Sequence, residues 1–169
     1  MTDMNNLMIA LPPSAVPFTT GTLIYADGVC LGNPGVGGYA ATVRRYVTGA
    51  LVERRVVSDA DPGTTNNRME LTAAIEALRA TEANREQPVI LRSDSEYVVK
   101  GMNEWRAGWI AKGWKKVKNR DLWEALIAEA DKRAVTFEWV RGHAGDPGNE
   151  EVDRLAAAAA ARWQVKVAA

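Results

Sequence analysis

Strand-like and helix-like segments follow one another along the 169-residue chain in an order that few folds can accommodate. The first strand is predicted from Leu23–Tyr25, and a Gly/Pro-rich loop follows it at Leu31–Gly38. Two segments rich in Val, Thr and Tyr, Tyr39–Tyr46 and Leu51–Ser58, predict the next two strands. Because only Thr48-Gly49 and its neighbours separate these two strands, we expect them to form a hairpin.

Helices and strands alternate in the rest of the chain. Apolar side chains at Leu71, Ile75 and Leu78 have the i, i+4, i+7 spacing of one helical face. The remaining predicted elements are a helix opened by Thr64–Asn67, a strand at Val89–Leu91, helices at Ser95–Met102 and from Asp121 to about Ala130, a strand at Val135–Val140, and a helix from about Glu150 to Arg162. This order predicts an α/β fold, in which one sheet combines an antiparallel meander with parallel strands and is flanked by helices.

The composition is that of one folded domain. Hydrophobic residues make up 47% of the chain and charged residues 25%, which excludes a disordered or fibrous protein. No run of about 18 apolar residues is present, so we expect no membrane segment. We interpret residues 1–20, which have three prolines and no periodicity, as a flexible extension before a domain at 21–165. The short apolar run Leu7–Leu11 argues against a secretory signal, and the lone Cys30 suits a reducing compartment, so we expect a cytoplasmic protein.

Positive charge is concentrated in one segment of a chain whose formal net charge is zero. Between Lys100 and Arg120 there are seven basic residues and one acid, Glu104, so this segment carries a charge of +6. The rest of the chain must then carry −6. Such a segment predicts a local anion-binding face, although a run of charge is more often only a solvated surface.

Four carboxylates stand out by position, and each has an ordinary structural explanation. Asp27 precedes a glycine, and Asp-Gly is typical of a turn. Glu70 lies three residues after Asn67, a spacing that fits a capping pair. Asp94 stands between a predicted strand and a predicted helix, where it could cap the helix. Asp153 lies near the start of the last helix, where a negative charge favours the helix dipole.

Taken together, the four acids form a pattern that these explanations do not predict. Two of them end strands that can be neighbours in a sheet, and the other two begin helices that can pack across the same edge. Ligands of α/β folds gather beyond the ends of strands. Converging carboxylates repel one another unless cations lie between them, and Mg²⁺ prefers oxygen ligands and bridges to phosphates. Acids beside a basic face therefore indicate phosphate chemistry on a nucleic acid.

Four ordered motifs within about residues 21–160 resemble those of type 1 ribonuclease H (ribonuclease HI) of the bacterial type. They are Tyr25-Ala26-Asp27-Gly28 with Cys30–Gly35 and Gly37-Gly38-Tyr39, then Thr64–Leu71, then Ser93-Asp94-Ser95 with Tyr97-Val98, and last Trp139–Gly145 with Asn149-Glu150 and Asp153. A single Asp-Gly pair would carry no information, but the ordered set is very specific. The resemblance implies a ribonuclease H-like fold, a five-stranded mixed sheet with three antiparallel strands followed by parallel strands.

The resemblance also implies an activity and its residues. The chain would be an endoribonuclease that hydrolyses the RNA strand of RNA–DNA hybrids with two metal ions, leaving 5′-phosphate and 3′-hydroxyl ends. Asp27, Glu70, Asp94 and Asp153 would bind two Mg²⁺ ions, with Mn²⁺ as a possible substitute. His143, the only histidine, would assist proton movement and product departure, although a lone histidine is usually structural. We also expect a monomer.

Contacts to the hybrid follow from the same resemblance. Residues implied to line the minor groove are Gly28, Cys30, Gly32, Asn33, Asn66 and Asn67. The set that matches a pocket for a phosphate of the DNA strand is Arg44, Thr65 and Asn119. Carbonyl and amide groups suit a 2′-hydroxyl, which both donates and accepts hydrogen bonds, whereas phosphate contacts fix register without reading bases.

The Trp-rich basic segment at about 105–120 resembles the basic protrusion of many bacterial members. We expect Trp105 to contact the DNA strand, while Trp109 and Trp114 mainly hold the shape of the protrusion. The lysines expected to contact the hybrid are Lys115, Lys116 and Lys118. Tryptophans at i and i+4 are, however, more often part of a core than a binding platform.

The chain departs from the family pattern at three places. The protrusion is several residues shorter than in the longer members, Val29 stands where Ser is frequent, and Glu96 stands where Gln is frequent. The added charge of Glu96 casts doubt on a direct substrate contact there.

Two alternatives remain beside the hybrid nuclease. One is a binding module that has lost the chemistry, and the other is a different nuclease of the same fold, such as a junction resolvase or an integrase core. A zinc enzyme or a serine hydrolase is unsupported, since one Cys and one His cannot build either site.

Overall fold

The central element of the sheet is its first strand, as shown by the computed structural model, which describes residues 16–168. The strands are β1 Gly21–Leu31, β2 Gly35–Val47, β3 Ala50–Thr64, β4 Pro88–Ser93 and β5 Ala134–Trp139. They lie in the order β3-β2-β1-β4-β5, in which β1, β2 and β3 pair antiparallel and β4 and β5 extend the sheet in parallel. The predicted five-stranded mixed sheet is therefore confirmed.

Helices cover both faces of this sheet. They are α1 Asn66–Arg79, α2 Glu96–Lys100, α3 Arg106–Ala111, α4 Arg120–Asp131 and α5 Pro147–Ala168, and a π-helical turn at Gly101–Trp105 joins α2 to α3. Successive side chains of a strand point to opposite faces. In β1, Ile24 belongs to the core beneath α1 and α4, whereas Leu23 and Tyr25 pack with Val152 of α5. Both faces of β1 are thus buried, as expected for a strand with a parallel neighbour.

The strands are longer than the sequence pattern predicts. β1 does not end at Asp27, because Asp27 pairs with Ala40 and Gly28 pairs with Tyr39 in an uninterrupted ladder with β2. The interpretation of Asp27-Gly28 as a turn is wrong for this reason. The predicted loop Leu31–Gly38 shrinks to residues 32–34, since β2 already begins at Gly35.

Two helix boundaries also differ from the prediction. The helix predicted at Ser95–Met102 begins as expected, with the Ser95 side chain accepting from the Val98 amide, but helical structure continues through the π-helical turn to Ala111. The last helix begins at Pro147, three residues earlier than predicted. Asp146 causes this earlier start because its Oδ1 accepts from the amides of Gly148 and Asn149, which satisfies two free donors of the first turn.

The larger core lies between the sheet, α1 and α4. Its bulkiest member is Trp123, which is fully buried on α4 and donates its indole N–H to the Tyr97 hydroxyl at 3.0 Å. Burying an indole ring contributes several kcal/mol, roughly 3–5 on truncation to Ala. This core fixes α4 and α2 against each other at the base of the basic segment.

Residues 16–20 contact the sheet next to the β2–β3 turn. Phe18 meets Tyr46 edge to face, and the Thr19 carbonyl accepts from the Gly49 amide at 2.8 Å. The first fifteen residues of the predicted extension lie outside the described residues, so the boundary at residue 20 stays a prediction. Within residues 16–168, no helix is both long enough and apolar enough to cross a bilayer.

Candidate active site

Three carboxylates from different elements meet at one edge of the sheet. Asp27 lies on β1, Glu70 lies on α1, and Asp94 follows the last residue of β4. Each offers one oxygen, and these oxygens all lie within 4.8 Å of one another. Asp27 and Glu70 are buried, whereas Asp94 is partly exposed. The parallel pairing of β1 and β4 brings Asp27 and Asp94 to the same edge.

Glu70 reaches the cluster because α1 begins very close to β1. The amide of Gly28 donates to Glu70 Oε2 at 3.0 Å and to Asp27 Oδ1 at 2.9 Å. A side chain at position 28 would collide with the backbone of Met69 and Glu70, so glycine is required for this approach. Thr65, whose hydroxyl accepts from the Arg68 amide, caps α1. The alternative in which Asn67 and Glu70 form a capping pair is therefore wrong.

The local environment of Asp94 is also incompatible with a capping role. Ser95, not Asp94, caps α2, so that alternative is wrong as well. The Asp94 carboxylate instead accepts from Asn149 Nδ2 at 3.1 Å, and its backbone carbonyl accepts from the indole N–H of Trp139 at 3.1 Å. These bonds leave Asp94 directed toward Asp27 and Glu70.

The cluster is electrostatically unfavourable without a cation. Burial, and then the neighbouring charge of Asp94, raise the pKa of Asp27 to about 8. Burial and the charge of Asp27 likewise raise the pKa of Glu70 well above its usual value. Two buried carboxylates with raised pKa values, together with the Asp94 carboxylate, are the donor set that a hard divalent cation neutralises. The residues present therefore fit a divalent metal ion.

Asp153 lies close to the cluster but outside its closest set of oxygens. It occupies the second turn of α5, since that helix begins at Pro147, and it is partly exposed. Its charge nevertheless contributes to raising the pKa of Asp27. The fourth predicted acid, Asp153, is thus close enough to Asp27 to affect its pKa.

His143 lies in the loop between β5 and α5. It is exposed and adopts a left-handed backbone conformation, with φ of 52°. The neighbouring Gly142 approaches Asp94 so closely that a Cβ there would lie 2.8 Å from Asp94 Oδ2. The loop that carries the histidine therefore borders the carboxylate cluster.

Comparison with known proteins agrees with this geometry. The family model for RNase H matches residues 19–161. The chain belongs to the ribonuclease H family. It is 51% identical over 141 residues to Ribonuclease H of Geotalea uraniireducens, covering 80% of this chain and 91% of the relative. It is 49% identical over 139 residues to Ribonuclease HI of Pseudomonas aeruginosa, covering 79% and 89% respectively. These relatives place it with the type 1 ribonucleases H.

Solved structures are similar in fold. The crystal structure of LC9-RNase H1, a type 1 RNase H with the type 2 active-site motif, has a TM-score of 0.75 and 38% identity, covering 88% of this chain and 75% of that one. The crystal structure of LC11-RNase H1 in complex with RNA/DNA hybrid has a TM-score of 0.62 and 25% identity, covering 85% and 99% respectively.

The residues predicted for the minor groove form one continuous strip in this ribonuclease H fold. Asn33 Oδ1 accepts from the amide of Asn66 at 3.0 Å, and the Cys30 thiol donates to the Thr64 carbonyl at 3.4 Å. The turn after β1 is thereby tied to the start of α1. The structure thus brings together the predicted residues Gly28, Cys30, Gly32, Asn33, Thr65, Asn66 and Asn67.

The residues predicted for the DNA phosphate do not all share a surface. Thr65 and Asn119 are linked through Arg68, whose amide donates to Thr65 and whose guanidinium donates to Asn119 Oδ1 at 3.3 Å. Arg44 lies on the opposite face of the sheet, where it pairs with Glu151 of α5 at 2.9 Å. The structure therefore does not bring Arg44 to Thr65 and Asn119. Arg68 is the cation that adjoins both, and sequence reasoning did not assign it.

The Trp-rich segment combines a packed base with an exposed tip. Trp109 packs against Trp123 at 4.8 Å and against Trp114 at 5.9 Å between ring centroids, and both Trp109 and Trp114 are partly buried. Trp105 is 39% exposed and lies 6.0 Å from Trp109. The three predicted contact lysines, Lys115, Lys116 and Lys118, are all exposed.

Two buried polar residues beside the site were not assigned a role from sequence. Asn149 is 2% exposed, and its Nδ2 binds Asp94, while its Oδ1 has no hydrogen-bond partner among residues 16–168. Asp146 is 5% exposed and caps α5. The Asp-Pro-Gly sequence before the last helix is typical of a helix start and could have indicated the second of these roles.

Proposed function

We propose that this ribonuclease H is an endoribonuclease that hydrolyses the RNA strand of RNA–DNA hybrids. The observation that carries the proposal is the convergence of Asp27, Glu70 and Asp94, with oxygens within 4.8 Å, in a chain whose residues 19–161 match the family. Burial and neighbouring carboxylates raise the pKa values of Asp27 and Glu70, which disfavours folding when no cation is bound, and this cost indicates a role in binding cations. The alternative of a binding module that has lost its chemistry leaves this strained cluster unexplained.

Two Mg²⁺ ions are the proposed cofactors, with Mn²⁺ as a possible substitute. When bound, such ions lower the pKa of a water molecule and stabilise the departing 3′ oxygen, so that cleavage leaves 5′-phosphate and 3′-hydroxyl ends. Asp27, Glu70 and Asp94 would hold the ions, with Asp27 contributed by the central strand of the sheet. Asp153, from α5, completes the proposed ligand set.

His143 is proposed to assist rather than to be required. Its exposure and its position on a loop beside Asp94 allow the imidazole to approach a phosphate bound at the cluster. A protonated imidazole there can donate a proton to the departing oxygen and help the product leave.

Recognition of the hybrid is proposed to involve two surfaces. The strip at the end of β1 and the start of α1 presents backbone carbonyls, amides and asparagine side chains to the minor groove, where they can sense the 2′-hydroxyl. The basic protrusion at about 105–120, with exposed Trp105 and its lysines, is proposed to contact the DNA strand. These contacts fix register without reading base sequence, which suits an enzyme that acts on any hybrid.

The experiment is cleavage of end-labelled substrates by the purified chain. An RNA–DNA hybrid, duplex RNA, duplex DNA, a four-way DNA junction and single strands are each incubated with Mg²⁺, with Mn²⁺ or with EDTA. We expect cleavage only of the RNA in the hybrid, and only with a divalent ion. Asp27→Asn is the inactive control. Hybrid binding without cleavage by the wild-type chain would favour the binding module, and cleavage of branched DNA would favour the resolvase alternative.

We further propose that the enzyme acts as a cytoplasmic monomer. All three clustered carboxylates and all the proposed hybrid contacts come from one chain, so the site needs no second copy. The single free thiol, Cys30, suits a reducing compartment. Light scattering of the chain with and without hybrid, and cell fractionation, test the two statements separately.

A further inference from the structure

A buried polar network lies beside the carboxylate cluster, on the α5 face of the sheet. The Tyr25 hydroxyl donates to Asp146 Oδ2 at 3.2 Å and accepts from Arg92 Nη1 at 3.1 Å. Arg92 also pairs through Nε with Glu138 at 2.9 Å. Tyr25, Arg92 and Asp146 are each at most 6% exposed. Buried charges persist in a fold only when they are paired and hydrogen-bonded, and this network meets that condition.

Tyr25, Arg92 and Asp146 each lie close in sequence to one of the proposed metal-binding acids or to the helix that carries it. Tyr25 lies two residues before Asp27 on β1, and Arg92 lies two residues before Asp94 at the end of β4. Asp146 caps α5, the helix that carries Asp153. The Tyr25 hydroxyl therefore connects β1, β4 and the start of α5, and the site requires these three elements to keep their relative positions.

The start of α5 lies directly on the Tyr25 ring. A side chain at Gly148 would collide with that ring, so the helix cannot shift toward β1. The next residue, Asn149, donates to Asp94 Oδ2 at 3.1 Å. Any loosening of the first turn of α5 thus changes both the position of Asp153 and the hydrogen bond that orients Asp94.

We propose that the Tyr25 hydroxyl, held between Arg92 and Asp146, is a positioning group that fixes the start of α5 and thereby sets the affinity of the site for divalent cations. The inference rests on the proposed function, because it assigns the network to the same four carboxylates. Groups that orient metal ligands typically change metal affinity by about 10–100-fold when removed. Tyr25 and Asp146 touch neither the metal nor the hybrid in this role.

The test compares Tyr25→Phe with Tyr46→Phe. Both changes remove one phenolic oxygen from the same apolar cluster, but Tyr46 lies opposite Gly21, at the far end of β1 from the site. Mg²⁺ binding to the hybrid-free protein is measured by calorimetry, and exchange of the Gly148 and Asn149 amides is measured by NMR. We expect Tyr25→Phe to weaken Mg²⁺ binding about tenfold and to speed exchange of both amides at least tenfold. Tyr46→Phe should change neither.

A second variant keeps the cap and removes the link. Asp146→Ser retains a hydroxyl oxygen that can cap the start of α5, but it has no second polar atom to bond the Tyr25 hydroxyl. We expect the same tenfold loss of Mg²⁺ affinity with a smaller change in amide exchange. In cleavage, both variants should need more Mg²⁺ for half-maximal rate while KM for the hybrid stays within about twofold.

Unchanged Mg²⁺ affinity and amide exchange in folded Tyr25→Phe would overturn the proposal, even if the variant were less stable. Should Tyr25→Phe fail to fold, Asp146→Ser decides on the same two measurements. Neither measurement uses hybrid cleavage. A chain whose Mg²⁺ affinity depends on this network, but which does not cut hybrids, would therefore refute the proposed function and leave this inference standing.

Discussion

Asp27→Asn should stabilise the metal-free protein while abolishing its activity. The substitution removes one of three converging carboxyl groups and keeps the size of the side chain. The side chains of Asp27 and Glu70 are hydrogen-bonded to each other, and an amide at position 27 can still donate to Glu70. A buried carboxyl group in this cluster therefore lowers the free energy of unfolding whenever no cation is bound.

The magnitude follows from the raised pKa of Asp27. A carboxyl whose pKa rises from 3.8 to about 8 on folding destabilises the folded state by about 1.4 kcal/mol for each pH unit between these values. At pH 7 this gives an upper limit of about 4 kcal/mol, and at pH 5 the limit falls below about 2 kcal/mol. Because water entry and proton sharing with Glu70 relieve part of the strain, we expect Asp27→Asn to gain about 1–2 kcal/mol at pH 7.

Urea unfolding in EDTA at pH 7 and pH 5 measures this gain. Asp59→Asn is the matched control, since Asp59 is exposed on β3, and it should change the free energy of unfolding by less than about 0.5 kcal/mol. Adding Mg²⁺ should stabilise the wild type and not the Asp27 variant, which reverses their order. A variant that is less stable than the wild type in EDTA at pH 7 would refute the electrostatic argument.

Three further predictions concern pH, the histidine and the protrusion. Metal-free wild type should lose stability as pH rises from about 4 to 8, because the raised pKa values of Asp27 and Glu70 make the folded state hold more protons than the unfolded state. Thermal unfolding across this range measures the change, and a rise in stability would contradict the prediction. His143→Ala should slow turnover and leave residual cleavage, whereas Asp153→Ala should leave almost none, in single-turnover assays with Mg²⁺. Replacing Lys115, Lys116 and Lys118 with Ala should flatten the salt dependence of hybrid affinity, and an unchanged slope would remove the protrusion from the binding surface.

The order and type of the elements could be predicted from the sequence, but the ends of the strands could not. Periodicity is a local property, and Leu71, Ile75 and Leu78 reveal the buried face of α1 without knowledge of its partner. A strand end depends on the strand beside it. Asp27-Gly28 stays extended because Ala40 and Tyr39 lie opposite, and nothing within the dipeptide indicates their presence.

The position of Arg44 illustrates a second limit, which is the choice of face. A slip of one residue in register moves every side chain of a strand to the other side of the sheet. The pairing of Arg44 with Leu23 and Arg54 directs it toward α5 and Glu151, away from Thr65 and Asn119. The order of the motifs along the chain is consistent with either face. Only the register of β2 shows that Arg44 lies away from Thr65 and Asn119, which leaves Arg68 as the cation beside them.

For a similar reason, the sequence alone does not show which polar residues cap the helices and which belong to the carboxylate cluster. Asp94 and Ser95 are adjacent, and both residue types cap helices well. In the structure Ser95 caps α2, which leaves the Asp94 carboxylate available to Asn149 and to the cluster. At the other helix, Thr65 caps α1 and releases Glu70 in the same way. Glu70 and Asp94 are thus each accompanied by a neutral residue, Thr65 or Ser95, that caps the helix.

Because different residues cap the helices and form the cluster, repulsion among the clustered carboxylates does not disturb the helix starts. The caps of α1 and α2 do not involve Glu70 or Asp94, and α5 is capped by Asp146, which is tied to the Tyr25 hydroxyl rather than to a metal ligand. The caps of these three helices therefore do not depend on a bound cation, and protonation of the clustered carboxylates leaves the cap hydrogen bonds in place. An enzyme built in this way keeps its site assembled between encounters with metal and hybrid. Transferring a cap to one of the acids would couple metal loss to helix fraying.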